Sequence, residues 1–182
     1  MKLIESGPGG VLLFEPAVHG DARGFFFESY REDEFRKVTG SDRPFVQDNH
    51  SRSAQHVLRG LHYQVRQPQG KLVRAVLGEI FDVVVDLRRR SPSFGKWMGT
   101  TLSAENKRVL WIPEGFAHGF LVISDAAEIV YKATDYYAPQ HERSLLWNDP
   151  AVGIAWPLTA PPTLSAKDLA GKPLADCEVF ES

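Results

Sequence analysis

The alternation of apolar and polar residues in the middle of the chain limits how it can fold more than any other feature. Two apolar runs meet at Gly78, and in each run the odd-numbered positions, 73–77 and 81–87, are apolar. A period of two places alternate side chains on one side of a pleated strand, and glycine suits a turn between strands. We therefore expect two strands with one buried face each, and Asp82 and Asp86 on the opposite face of the second strand.

Short segments with strand character recur along most of the chain and are separated by Gly, Pro, Asn or Asp, which is typical of antiparallel β-sandwiches and barrels. Helix signals are few: Ser29 is a candidate cap for a short helix within 31–38, and Ser165 for one that begins at 166. The three prolines of 156–162 predict an extended segment. The further strands that we expect are 11–16, 24–29, 45–51, 57–64, 97–102, 108–112, 117–123, 127–136 and 144–147.

Composition narrows the class of protein. A length of 182 residues predicts a single domain, 1–182, and fractions of 43% hydrophobic and 24% charged residues argue against a disordered chain. The net charge of −2 argues against sequence-blind nucleic-acid binding. Because Cys177 is the only cysteine, no internal disulfide can form. No apolar stretch approaches the ~20 residues of a membrane span, and residues 1–10 lack the apolar core of a signal peptide. We therefore expect a cytoplasmic protein without nucleic-acid or membrane partners.

The first candidate for chemistry is a histidine–lysine pair. If 58–64 and 70–74 form a hairpin, His62 lies opposite Lys71 and both side chains project to one face. A histidine accepts a proton near neutral pH, and a neighbouring cation stabilises the oxyanion that forms when a proton leaves a carbon next to a carbonyl. An exposed hairpin in which the two residues have no role is the alternative, and the segment alone leaves it open.

A second motif has the spacing of the second cupin motif, Pro-x-Gly-x-x-His, formed by Pro113, Gly115 and His118. The first cupin motif is incomplete, since 62–64 reads His-Tyr-Gln and offers no second histidine and no glutamate at the expected offset. Two histidines alone make a poor transition-metal site, so we expect a cupin barrel without a metal. The alternative role for His118 is that of a hydrogen-bonded turn residue.

Two further groups of residues are ambiguous. Tyr131 and Tyr137 share a strand face, where a phenol can deliver a proton or stack on a base, but tyrosine is also a common strand residue. Asp168 lies three residues after Ser165, which predicts a helix capping box, and the same carboxylate could instead orient His62.

Polar residues in the first third of the chain form another candidate ligand set. Arg23 and Arg59 could clamp phosphates, and the amides of Gln47 and Asn49 could read a base or a sugar edge. Each of them, taken singly, is more simply a turn or surface residue.

Taken in order, these motifs resemble the dTDP-4-dehydrorhamnose 3,5-epimerase family, and the resemblance runs over nearly the whole chain. The stretch between Gln64 and Gly70 is shorter than in some members. The segments that carry the resemblance are 20–29, 45–51, 58–64, 69–74, 102–108, 111–120, 147–150 and 164–168.

The resemblance implies an all-β, cupin-type antiparallel jelly-roll barrel with a few short helices, a homodimer, no metal and no cofactor. Its implied substrate is a dTDP-4-keto-6-deoxy sugar, epimerised for dTDP-L-rhamnose biosynthesis and cell-surface polysaccharide. It implies His62 as the base held by Asp168, Tyr131 as the acid on the opposite sugar face, and Lys71 near the C4 oxygen. The implied ligand-binding positions are Arg23, Glu28, Gln47, Asn49, Arg59, His118, Glu142 and Lys167, with Tyr137 stacked on thymine.

The residue chemistry agrees with this function, because C3 and C5 of such a sugar both flank the C4 ketone and lose a proton to the same kind of enolate. Three alternatives remain at this point. One is an epimerase that inverts C3 only, another is a nucleotide-sugar-binding module without chemistry, and the third is a metal-dependent cupin oxygenase. The retained candidate residues disfavour the second, and the incomplete first cupin motif disfavours the third.

Overall fold

Two antiparallel β-sheets packed face to face form the body of the fold. The computed structural model describes residues 1–181. Helix α1 spans Glu32–Thr39 and helix α2 spans Ala166–Leu169. The strands are β1 (Lys2–Ser6), β2 (Leu12–Glu15), β3 (His19–Asp21), β4 (Gly24–Phe26), β5 (Gln47–Ala54), β6 (Leu58–Gln64), β7 (Lys71–Leu77), β8 (Glu79–Asp86), β9 (Trp97–Ser103), β10 (Val109–Ile112), β11 (Phe116–Val122), β12 (Ala126–Ala133) and β13 (Glu142–Ser144).

The strand order is that of an antiparallel jelly roll. One sheet has six strands in the order β1-β2-β10-β7-β12-β5, the other has five in the order β13-β6-β11-β8-β9, and β3 and β4 form a separate hairpin. The apolar side chains of both inner faces meet in one core, which includes Val73, Ile80, Leu110 and Ile129. The expectation of an antiparallel, all-β fold with a few short helices is confirmed.

The predicted strands on either side of Gly78 exist, but they do not pair with each other. β7 lies between β10 and β12 in the six-stranded sheet, whereas β8 lies between β11 and β9 in the other. Gly78 has a φ of +68°, and a Cβ there would collide with the carbonyl oxygen of Ala126. The turn is therefore a corner at which the chain passes from one sheet to the other.

The two faces of β8 are both covered, which corrects the expectation that Asp82 and Asp86 lie on a polar outer face. The apolar face, with Val83 and Val85, packs against the C-terminal part of the chain, including Trp156 and Phe180. The opposite face points into the space between the sheets, so Asp82 and Asp86 are fully buried.

The predicted hairpin between His62 and Lys71 is also wrong. β6 pairs with β11 and β13, and β7 pairs with β10 and β12, so both strands already have neighbours on each side. The segment 65–70 instead carries the chain across from the five-stranded to the six-stranded sheet. His62 and Lys71 consequently approach each other from opposite sheets rather than along one.

The two helices match their predicted places but not both predicted caps. α1 begins after Arg31, which makes no side-chain cap, so Ser29 is not the cap that we expected. Phe35 anchors α1 by packing edge-on against Trp111. α2 has the predicted capping box of Ser165 and Asp168. Neither helix of residues 1–181 has the length or hydrophobicity to span a membrane.

Candidate active site

A cavity of about 620 Å³ opens between the two sheets and gathers most of the candidate residues. Its lining comes from both sheets, from the segment before β13 and from α2. The predicted residues that line it are Asn49, Arg59, His62, Lys71, His118, Tyr131, Tyr137, Glu142, Lys167 and Asp168.

His62 and Asp168 form a close pair within this cavity. His62 Nε2 lies 2.8 Å from Asp168 Oδ1, in an orientation that does not form an aligned hydrogen bond. The carboxylate is held by the backbone N–H of Gly60, which donates to Oδ1 at 3.0 Å, and by the backbone N–H and hydroxyl of Ser165, which donate to Oδ2. Asp168 is therefore both a helix-cap partner and the neighbour of His62, so the two roles considered from the sequence coexist.

Burial sets the protonation state of this pair. It lowers the pKa of His62 below the usual 6.5, and the nearby charge of Asp168 offsets this only in part. Burial alone would raise the pKa of Asp168, but the hydrogen bonds from Ser165 and Gly60 bring that pKa below its usual value. At neutral pH the pair is thus a neutral imidazole beside a carboxylate, which is the state that a general base requires.

Lys71 and Tyr131 enter the cavity from the six-stranded sheet, opposite His62. Burial lowers the pKa of Lys71 to about 8, although the charges of Asp82 and Glu142 raise it. Lys71 therefore remains mostly protonated at pH 7. Burial also raises the pKa of Tyr131 above 10, so its phenol keeps its proton. One sheet thus carries a base, and the other carries a cation and a proton donor.

His118 lies beside His62, because the two residues are directly opposite in the pairing of β11 with β6. Its Nε2 atom is 2.9 Å from each carboxylate oxygen of Asp82. His118 is thus a cavity residue held by a buried carboxylate, not a turn residue. Asp82 was not among the predicted site residues, although an acidic residue in the centre of a mostly apolar strand was a usable signal.

The mouth of the cavity has a polar network of predicted ligand residues. The Tyr137 hydroxyl donates to Glu142 Oε2 at 2.6 Å, and Lys167 Nζ lies 2.5 Å from the same oxygen. The backbone N–H of Tyr137 donates to the side chain of Gln47, whose amide in turn donates to Asn49. Gln47 thus supports the mouth without lining the cavity.

Arg23 and Glu28 lie away from this cavity. The side chain of Arg23, in the turn between β3 and β4, is 90% exposed and is paired with Asp21. Glu28 follows β4 and borders a small separate pocket beside Met1. The structure of one chain therefore does not bring these two residues to the other candidates.

Among residues 1–181, no group of three or more His, Cys, Asp or Glu side chains is arranged to hold a metal ion. The two cavity histidines each contact a carboxylate instead, His62 that of Asp168 and His118 that of Asp82. The absence of a metal in the function stays a prediction.

Comparison with known proteins adds a family to this geometry. Residues 8–176 match the profile of the family described as dTDP-4-dehydrorhamnose 3,5-epimerase. The chain is 64% identical over 180 residues to the dTDP-4-dehydrorhamnose 3,5-epimerase of Pseudomonas aeruginosa, and the alignment covers 99% of each protein.

Solved structures of similar proteins support the same family. The dTDP-6-deoxy-D-glucose-3,5-epimerase of Legionella pneumophila, solved with dTDP-4-keto-L-rhamnose, is 48% identical, with a TM-score of 0.97 over 100% of this chain and 98% of that one. A 3'-monoepimerase from Streptomyces bikiniensis, solved with dTDP-quinovose, is 38% identical, with a TM-score of 0.88 over 92% and 85% of the two chains. The cupin-type jelly roll is thereby confirmed, and the chain belongs to the dTDP-4-dehydrorhamnose 3,5-epimerase family.

Proposed function

We propose that this chain inverts C3 and C5 of dTDP-4-keto-6-deoxyglucose and so makes dTDP-4-dehydro-L-rhamnose. The observation that carries the proposal is the placement of a neutral His62 on one sheet, and of Lys71 and a protonated Tyr131 on the other, around a single cavity. The names of the relatives in Pseudomonas and Legionella, and the sugar nucleotide in the latter structure, support this substrate class.

The reaction follows from the acidity of carbons next to a ketone. His62 takes the proton from C3 or C5 through Nδ1, the ring nitrogen that does not face Asp168. The electron pair of the C–H bond moves toward the C4 oxygen, and an enolate forms. Lys71 stabilises the negative oxygen, and Tyr131 then gives its phenolic proton to the opposite face of the same carbon. Asp168 stabilises the imidazolium that His62 has become. Exchange of both groups with solvent resets the site for the second carbon.

In this proposal, the other predicted site residues bind the nucleotide and position the substrate. Arg59 and Lys167 carry positive charge at the cavity and match a diphosphate, and Tyr137 is half-exposed at the mouth, where its ring can stack on thymine. Glu142 holds both Lys167 and Tyr137 in place. In this proposal, His118 and Asn49 contact the substrate from the cavity wall.

Arg23 and Glu28 fit this function if a second copy of the chain supplies them. The β3–β4 hairpin that carries Arg23 also exposes Phe25 and Phe26, which are 64% and 67% accessible. Exposed aromatic side chains of this kind are typical of an interface. We therefore propose a homodimer in which this hairpin completes the partner's site.

Mixed dimers test this arrangement. We expect His62→Ala and Arg23→Ala subunits, each weakly active alone, to regain activity when they are coexpressed, because one site of the mixed dimer then has both native residues. If Arg23 acts within its own chain, no mixed dimer contains an intact site and coexpression restores nothing. Sedimentation velocity of the same samples gives the oligomeric state.

The pH dependence of kcat/KM tests the protonation states. We expect the rate to rise with pH below 6.5, as His62 loses its proton, and to fall above about 8, as Lys71 loses its charge. Initial rates across both ranges measure this. Lys71→Arg is the matched variant, because arginine stays charged, and it should lack the fall at high pH. A wild-type rate that stays level well above pH 8 would contradict the role of Lys71.

We also propose a cytoplasmic location, which the free, half-buried thiol of Cys177 supports.

The uptake of solvent hydrogen at C3 and C5 of the sugar tests the proposed function. It distinguishes the proposed epimerase from an epimerase that inverts C3 only and from a binding protein without catalytic activity.

A further inference from the structure

Asp82 is a buried carboxylate whose contacts differ from those of an ordinary structural aspartate. It is 0% exposed, on β8, and among residues 1–181 the only hydrogen-bond partner of its carboxylate is His118 Nε2, at 2.9 Å from each oxygen. A buried charge is unfavourable unless nearby groups compensate it. The buried charge of Asp82 is therefore compensated from the side of the cavity, where His118 lies.

Asp86 provides a comparison on the same face of the same strand. It is equally buried, but it accepts hydrogen bonds from the backbone and guanidinium of Arg88 and from the hydroxyls of Ser91 and Ser93. Asp86 thereby ties down the loop that follows β8. Asp82 makes no such contact with a loop, so the same structural explanation does not apply to it.

The charge of Asp82 also acts on Lys71, which enters the same cavity from the facing sheet. Within the described part of the chain Lys71 forms no ion pair, and the two carboxylates whose charge acts on it are Asp82 and Glu142. Glu142 is already engaged by Lys167 and Tyr137, whereas within residues 1–181 the only side chain that contacts the Asp82 carboxylate is that of His118. The ionisable side chains around Lys71, one from each surrounding element, are His62, Asp82, His118, Tyr131, Glu142 and Lys167.

We propose that Asp82 is a positioning residue of this active site, which fixes the His118 ring through Nε2 and supplies the buried negative charge that balances the Lys71 ammonium. This inference rests on the proposed function and deepens it. With Nε2–H directed at Asp82, the Nδ1 atom of His118 is the nitrogen left to meet the substrate. The ammonium of Lys71 is then kept charged for the enolate oxygen.

The variant Asp82→Asn tests the charge separately from the hydrogen bond, because an asparagine oxygen still accepts from His118 Nε2. We expect the fall of kcat/KM at high pH to begin about half a unit to one unit lower than in the wild type, since Lys71 has lost a compensating charge. We expect KM to change little, because the ring is still held. Asp86→Asn is the matched control, and it should lower thermal stability while leaving the pH profile in place.

A high-pH limb that stays at its wild-type position in Asp82→Asn overturns the proposal, and so does an equal displacement in Asp86→Asn. If Asp82→Asn does not fold, nitrogen NMR of the wild type with ¹⁵N-labelled histidine decides instead. A proton on Nε2 of His118 with Nδ1 bare supports the proposal, and a proton on Nδ1 alone overturns it. Failure of the wild type to epimerise would refute the proposed function, whereas the histidine spectrum would still test the contact with Asp82.

Discussion

Replacing His62 with alanine should reduce hydrogen exchange at both C3 and C5 of the sugar to background, a loss of about 10⁴-fold if the general base contributes at the upper end of its usual range. The reason is that both protons flank one ketone and both are assigned to one base. His118, the other cavity imidazole, is engaged with Asp82 through Nε2 and lies on β11 rather than beside Asp168. Proton NMR of the sugar in D₂O measures the exchange.

Binding supplies the control for this variant. Since His62 is assigned to the reacting carbons and not to the nucleotide, His62→Ala should bind dTDP about as tightly as the wild type, with a similar unfolding temperature. Exchange at a near-wild-type rate in a folded, dTDP-binding His62→Ala protein would refute the whole catalytic assignment.

Tyr131→Phe should separate exchange from inversion. The variant keeps the ring and its packing against the core but removes the phenolic proton. His62 and Lys71 are untouched, so the enolate still forms and hydrogen at C3 or C5 still exchanges with solvent. Inversion, which needs a proton on the opposite face, should slow by about 10²-fold or more. Parallel measurement of deuterium uptake and of the epimerised product gives the two rates.

Tyr136→Phe is the matched control, because Tyr136 is an exposed neighbouring tyrosine that does not line the cavity. Loss of its hydroxyl should leave both rates unchanged. Inversion at the wild-type rate in Tyr131→Phe would remove Tyr131 from the mechanism. Loss of exchange along with inversion would mean that Tyr131 acts before the enolate forms.

The positions of most strands were predictable, although β1 and β3 were not expected, but the partners of the strands were not. The period of two locates β7 and β8 and identifies their apolar faces, since these depend on neighbouring residues. Pairing depends on distant segments, so the corner at Gly78 and the crossing between β6 and β7 resemble hairpins in the sequence. The burial of Asp82 was missed because the pattern predicts that the apolar face of β8 is the only buried one. That face packs against the distant C-terminal segment, and the face of Asp82 points between the sheets.

Most residues of the candidate site were predictable from the sequence, but their positions relative to one another were not. His62, Lys71 and Tyr131 were identified from residue chemistry and from a family resemblance, and the structure places them around one cavity. The resemblance carries motifs but not distances, so it did not reveal that Arg23 lies away from the cavity of its own chain. A residue that acts from a second copy looks the same in a sequence as one that acts from the first.

In the proposed reaction, one cavity inverts two carbons through enolates of a single ketone. Incubation of the protein with dTDP-4-keto-6-deoxyglucose in D₂O, followed by NMR of the sugar, tests it most directly. We expect deuterium at both C3 and C5 and a product inverted at both carbons. Deuterium at C3 alone would identify a single-centre epimerase, and no deuterium at either carbon would refute the proposed activity.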